Sequence, residues 1–319
     1  MTEIEKQEKD QQNKINFLKA NLIKIQPLLK DKMILEIMLN QDGVIRVDVV
    51  GKGKMKTDIY LSQMEGKRII EVVASYAGTA VTKDKPIVEA TLPDGERFSG
   101  ILYGSTQGLP TFSIRKKSEY IIPLEKYIEN KTITKSQAEF LEQAVLGRKN
   151  ILIVGGTSSG KTTFANAILK GLSNTKDRVL VLEEVRELQV NTDDVNYYTA
   201  TNELNIQDLL RFCMRMTPDR IIVGELRKGE ECMEMLKAWN SGHNGGIATI
   251  HANGAKEGLI KVEQYLGEVS EKSQVNLIVD AIDVVVSLVK EESVRRVKEV
   301  AILKGFNFKE NEYVLERID

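Results

Sequence analysis

The chain predicts an α/β protein: a phosphate-loop domain built on a parallel-type sheet, preceded by a smaller α+β domain. Three observations carry this. Strand-like and helix-like segments alternate from about residue 150 onward, as they do in a parallel sheet covered by helices. One of those strands runs directly into a glycine-rich loop closed by lysine and threonine, "ILIVGGTSSGKTTF" at 151–164. Upstream the texture differs, with short alternating strands and a tight turn.

Taken in order, "INFLKANLIKIQPLLKDKMILEIML" at 15–39 spaces its apolar residues by three and four, predicting one or two amphipathic helices after a frayed start. "GVIRVDVV" and "KTDIYL" alternate apolar and polar residues and are rich in β-branched types, as half-buried strands are. "EGKRIIEVVASYAGT" returns to helical spacing. "IVEATLPDGERFSGILYG" is a hairpin, with Pro93, Asp94 and Gly95 forming its turn. These elements define an N-terminal domain over residues 1–117. A connection over 118–133 carries Pro123. The phosphate-loop domain then spans 134–319 and opens with a helix capped by Thr134 and stopped at Gly147. Strands at 150–154, 178–182, 220–224 and 246–250 follow, with helices at 161–171, 205–214 and 229–240 between them. Ligands in such sheets bind at the carboxyl ends of the strands.

Bulk properties exclude several classes. At 42% hydrophobic and 29% charged over 319 residues, the chain reads as soluble and globular. With 45 basic and 46 acidic residues there is no global field favouring nucleic acid or anionic lipid. Cys213 and Cys232 form neither a CxxC pair nor a disulfide framework, which fits a reducing cytoplasm. The N-terminus is charged from Glu3 and has no apolar core, so it is not read as a signal peptide. The best membrane candidate, "AIDVVVSLV" at 281–289, is short and broken by Asp283.

Gly155, Gly156, Thr157, Ser158, Ser159, Gly160, Lys161 and Thr162 satisfy the pattern G-x-x-x-x-G-K-[ST]. The glycines let the backbone curl so that several N–H groups converge, and the following helix adds its positive end. Lys161 can reach β- and γ-phosphates, and the Thr162 hydroxyl can ligate Mg²⁺. A chance match in a flexible loop is the alternative, and the strand before and helix after argue against it. Nucleotide hydrolysis also needs carboxylates, one to order Mg²⁺ and one to orient or deprotonate water. "RVLVLEEVREL" is a strand ending in Glu183, Glu184 and then Glu187; "PDRIIVGELRKGEE" ends in Gly224-Glu225, with Gly224 standing where such a strand ordinarily ends in aspartate. Glu183 and Glu225 are therefore candidates for base and metal ligand, with Glu187 in reserve; Glu184 and Glu231 read as surface acids. The chain's two histidines, His243 and His251, both lie in "SGHNGGIATIHANG". His251 is read as a γ-phosphate sensor. His243 is equally a buried, satisfied side chain, and the spacing matches no standard zinc set.

"GGTSSGKTT", which includes Thr163, then "LEEVREL", "MRMTPDRIIVGELRKGE" and "SGHNGGIATIHANG" resemble, in this order, four boxes of the secretion-superfamily hexameric ATPases. These are the Walker A, Asp box, atypical Walker B and His box of type II and type IV secretion motors. "EIMLN", "AGTAVTKDKPIVEATLPDGERFSG", "FSIRKK" and "AIDVVVSLVKEESVRRVKEVAILKGF" resemble the conjugative-transfer branch, and the likeness runs from about residue 34 to 306. Glu184 stands where the Asp box has aspartate, Asn244 where the His box has proline and Gly254 where it has serine. The resemblance implies a RecA-like ATPase using ATP and Mg²⁺ in a homo-hexameric ring. It would act with inner-membrane components of a secretion or conjugation machine, associated peripherally with the cytoplasmic face of that membrane, without sequence-specific nucleic-acid binding. It also implies that Arg97 and Arg115 supply charge to the γ-phosphate from the N-terminal domain. A pilus or type II secretion ATPase, a RecA-like DNA motor and an ATP-gated scaffold remain as alternatives.

Overall fold

The computed structural model describes every residue except 1–2, 51, 104–108, 117–120, 202 and 292–293, and side chains from residue 9 onward. Residue contacts divide the chain into two units, Met1–Tyr120 and Ile121–Asp319.

The first unit begins with helices α1 (Glu3–Asn21) and α2 (Gln26–Lys30). Strands β1 (Ile34–Leu39), β2 (Val44–Val49) and β3 (Gly53–Tyr60) follow, then helix α3 (Gln63–Tyr76). Strands β4 (Ile87–Thr91), β5 (Arg97–Ile101) and β6 (Thr111–Arg115) complete it. The sheet order is β3-β2-β1-β6-β5-β4, with antiparallel neighbours throughout. Leu18, Leu22, Ile37, Ile69, Ile70, Val73, Phe98 and Ile114 share one core. Ser62 starts α3 through a reciprocal capping box with Glu65, which satisfies two otherwise orphaned N–H groups. The hairpin turn is as expected, with Gly95 at φ +94 and its N–H donating to the Leu92 carbonyl.

Residues 34–39 overturn one expectation. They are a central strand, not the continuation of a helix. The physical reason is a register irregularity between Ile34 and Glu36, which puts the buried residues at Ile34, Ile37 and Leu39. A bulge of this kind interrupts the two-residue period and imitates helical spacing.

The second unit opens with α4 (Leu124–Glu129) and α5 (Lys135–Leu146), then β7 (Ile151–Gly155) and α6 (Lys161–Leu169), which runs on as a 3₁₀ turn. Next come β8 (Val179–Glu183), β9 (Val195–Thr199), α7 (Ile206–Cys213), β10 (Arg220–Leu226), α8 (Gly229–Trp239) and β11 (Ile247–Ile250). The chain ends with α9 (Ala255–Gly267), α10 (Val275–Ala281), β12 (Val284–Glu291), β13 (Val294–Asn307) and β14 (Glu312–Arg317). Part of the stretch expected to be a connection, 118–120, lies outside the described residues. The remainder holds α4, because Leu124, Tyr127 and Ile128 bury one face of a short helix against the core that α5 also lines.

The sheet order is β14-β13-β12-β7-β11-β10-β8-β9. The expected parallel-type sheet is in fact mixed: the six strands β12, β7, β11, β10, β8 and β9 pair in parallel in that order, and β13 and β14 are antiparallel. β12 and β13 are joined by a hairpin at Glu291 and Val294, far too short for a parallel crossover. Alternation along each strand builds two cores. Leu152, Val154, Leu182, Val223 and Ile250 face α7–α10, whereas Ile151, Ile153, Val181, Ile222 and Val286 face α4–α6. Both layers leave the carboxyl ends of β7, β11, β10 and β8 side by side along one edge.

Candidate active site

The phosphate loop follows β7. Gly155 is packed so tightly that an added Cβ would meet the Ser159 hydroxyl and lie 2.8 Å from the Leu288 carbonyl of β12, so a side chain is excluded there. The loop then turns through two left-handed residues, Ser158 at φ +59 and Gly160 at φ +91, and enters α6 at Lys161. Thr162 and Thr163 sit in the first helical turn. The Ser159 hydroxyl is buried without a hydrogen-bond partner among the described residues. A buried orphan hydroxyl in a loop of this geometry suits a phosphate oxygen as acceptor.

Lys161 is nearly buried, and its Nζ donates to the Gly155 carbonyl at 2.9 Å and lies 3.3 Å from that of Gly156. It also stands 3.5 Å from His251 Nε2. His251 follows β11, the strand between β7 and β10, so strand order explains this meeting of residues 90 apart in sequence. His251 Nε2 lies 2.9 Å from Glu225 Oε1. Burial, with the Lys161 charge second, holds the imidazole below its ordinary pKa, against a smaller upward pull from Glu225. At neutral pH the ring is therefore neutral, and the Nε2–H tautomer donates to Glu225.

Glu225 has a second partner that sequence reading missed. Arg227 Nε donates to Glu225 Oε2 at 2.8 Å, and its Nη1 pairs with Glu184. Glu184, read from sequence as a plain surface acid, is thus tied to Glu225 through one guanidinium. The signal was present: Arg227 lies two residues beyond Glu225, on the same side of an extended strand end.

Glu183 plays a different part. It is buried, and its Oε1 accepts from the backbone N–H groups of Glu187 at 2.9 Å and Leu188 at 2.8 Å. The parallel register pairs Leu182 with Val223, which sets Glu183 beside Gly224. A Cβ on Gly224 would lie 2.9 Å from Glu183 Cγ. Gly224 is not at a left-handed φ. It is glycine because the Glu183 side chain occupies the space where an aspartate at the strand end would begin. Glu187 enters through its backbone, and its carbonyl accepts from Asn166 of α6.

His243 lies elsewhere. It pairs through Nδ1 with the Pro218 carbonyl at 2.9 Å, before the amino end of β10. It belongs to the opposite edge of the sheet, with the buried Arg220–Asp177 pair. Arg97 and Arg115 both lie in the first unit, directly opposite one another on β5 and β6 and exposed. Among the described residues no group of three or more acids, histidines or cysteines could hold a metal ion unaided. One hydroxyl and one or two carboxylates, completed by substrate phosphates, is the donor set Mg²⁺ commonly takes. Thr162 with Glu183 or Glu225 matches that chemistry.

A glycine-rich loop between a buried parallel strand and a helix, with carboxylates on neighbouring strand ends, defines a P-loop nucleotide-binding α/β protein. The chain belongs to the type II/IV secretion system protein family, which matches residues 19–310. It is an ATPase of the conjugal-transfer and type IV secretion kind. It is 36% identical over 291 residues to conjugal transfer protein TrbB of Rhizobium radiobacter, covering 90% of this chain and 88% of that one. With type IV secretion system protein VirB11 of Bartonella quintana the identity is 29% over 330 residues, covering 88% and 92%. In fold it resembles the ATPase DotB of Legionella pneumophila, with a TM-score of 0.65 at 18% identity, covering 87% of this chain and 79% of that one. It also resembles the pilus retraction motor PilT, with a TM-score of 0.63 at 19% identity over 95% and 83%. No helix among the described residues is long and apolar enough to cross a membrane.

Proposed function

We propose that the second unit is a RecA-like motor domain in which Glu225 is the general base for ATP hydrolysis, and that the chain drives a conjugative-transfer or type IV secretion machine. The observation that carries the assignment is the row Lys161, His251, Glu225 across three adjacent strand ends, with separations of 3.5 and 2.9 Å. Lys161 rests on loop carbonyls and turns to the β- and γ-phosphates when they arrive. Glu225 has one oxygen on His251 and the other on Arg227, an arrangement that fixes its carboxylate toward the same edge. A water between Glu225 and the γ-phosphate loses its proton to that carboxylate as it attacks. His251, neutral, shifts its Nε2–H from Glu225 to a γ-phosphate oxygen and so reports whether that phosphate is present. When bound, Mg²⁺ would be held by Thr162 with Glu183 or Glu225 and would neutralise charge on the phosphates.

Arg97 and Arg115 support a role for the first unit. They are exposed and directly opposite one another on β5 and β6, two guanidinium groups on one sheet whose charge suits a triphosphate, and this reading assigns them to the γ-phosphate. A homo-hexameric ring, peripheral at the cytoplasmic face of the inner membrane and docked on its membrane components, completes the reading. Symmetric closure suits a motor that moves a large partner.

The test is a pair of variants in the full chain. Lys161→Ala should abolish turnover. Glu225→Gln should keep ATP bound while single-turnover hydrolysis slows at least about a hundredfold, as loss of a general base does. Wild-type hydrolysis by Glu225→Gln would transfer the role to Glu183 or Glu187.

A further inference from the structure

The phosphate loop carries its own cation in Lys161, and the structure adds another at the loop itself. β12 runs parallel to β7, pairs Leu288 with Gly155 and continues to Glu291 before β13 returns. The hairpin therefore overshoots the end of β7, and Lys290 is paired with Arg295. Arg295 Nε donates to the Ser158 carbonyl at 3.0 Å. Its Cδ lies 3.3 Å from where a Cβ on Gly160 would stand, so its stem crosses the second left-handed residue of the loop.

Ser158 is a non-glycine residue at φ +59, a left-handed conformation that side-chain-bearing residues adopt only when something holds them there. In a loop of this kind successive N–H groups gather on the concave side, where phosphate binds. A cation on the Ser158 carbonyl holds that peptide by its opposite end and leaves the N–H side to the ligand. We propose that Arg295 is a nucleotide-positioning residue: it keeps the phosphate loop in its receptive conformation from outside, so that ATP and ADP meet a preformed site.

This rests on the reading that the loop at 155–162 binds ATP. Because the arginine acts on the loop and not on the reacting atoms, its loss should weaken ATP and ADP alike and spare kcat. The experiment is equilibrium binding of a fluorescent ATP analogue and of ADP to the full chain, with steady-state turnover alongside. Arg295→Met keeps the stem and removes the donor. It should raise both dissociation constants about 10-fold, the lower end of what one charge-assisted hydrogen bond supplies, with kcat within about twofold. Arg295→Lys should recover part of the loss. Arg296→Ala, whose side chain pairs with Glu291 at the surface, should bind as wild type. Wild-type affinity in Arg295→Met would overturn the inference, as would an equal loss in Arg296→Ala or a fall in kcat at unchanged affinity. Lys161→Ala separates the two levels: if it binds ATP normally, the loop reading itself fails. If it loses binding while Arg295→Met does not, only the role of Arg295 fails.

Discussion

Replacing Gly224 by aspartate would give β10 the acid that ordinarily ends such a strand, and the structure predicts damage instead of gain. The new Cβ would stand 2.9 Å from Glu183 Cγ and 3.4 Å from its Cβ and Oε1. Glu183 cannot yield freely, since it is 4% exposed and its Oε1 holds the N–H groups of Glu187 and Leu188. Overpacking costs about 1–3 kcal/mol, and each buried N–H left without an acceptor about 1–3 kcal/mol more. With one of the two N–H groups lost, about 2–6 kcal/mol follows, or roughly 4–24 °C in the melting temperature of a unit this size. Displacement of Glu183 also shifts its neighbour Glu225, and misplacement of about 1 Å in such a constellation costs on the order of a hundredfold in rate. Gly224→Ala carries the same clash without the charge and should lose most of the same stability. Thermal unfolding and ATP turnover of both variants give the answer. A melting temperature within about 1 °C of wild type, with normal turnover, would refute the steric argument.

Asp177→Asn should cost about 3–5 kcal/mol in urea unfolding, because Arg220 is 1% exposed and loses its charged partner. Burial raises the Asp177 carboxyl, but hydrogen bonds from Arg220 and Arg148 outweigh it and leave the pKa below its ordinary 3.8. The pair's stabilisation is therefore complete above about pH 4 and declines as acid passes that unfolded value towards the lower folded one, a limb the Asn variant should lack. His251 is depressed below 6.5, so kcat/KM should be level at neutral pH and fall as pH drops through the lowered value. His251→Gln should abolish that limb; an unchanged acid limb would assign it to another group. Arg115→Ala in the full chain should lower kcat for ATP more than affinity for ADP, and equal losses of both would count against a γ-phosphate role.

Much of the site was legible because its chemistry is local. The spacing of Gly155, Gly160, Lys161 and Thr162 encodes a loop that needs no distant contact to be recognised. Glu183 and Glu225 could be picked out because each ends a continuous apolar run. Helix α5 could be bounded because Thr134 and Gly147 act on their own turns. Tertiary structure decided what depends on strand order and register. Nothing in sequence tells that β11 lies between β7 and β10, yet that order brings His251 to Lys161 and Glu225. The bulge that disguised β1, the unpatterned edge strand β9 and the antiparallel return of β13 are pairing effects. They leave no local period to read. Gly224 is the sharpest case. The sequence reveals only a missing aspartate, whereas packing supplies the reason, a glutamate from the neighbouring strand already filling the space.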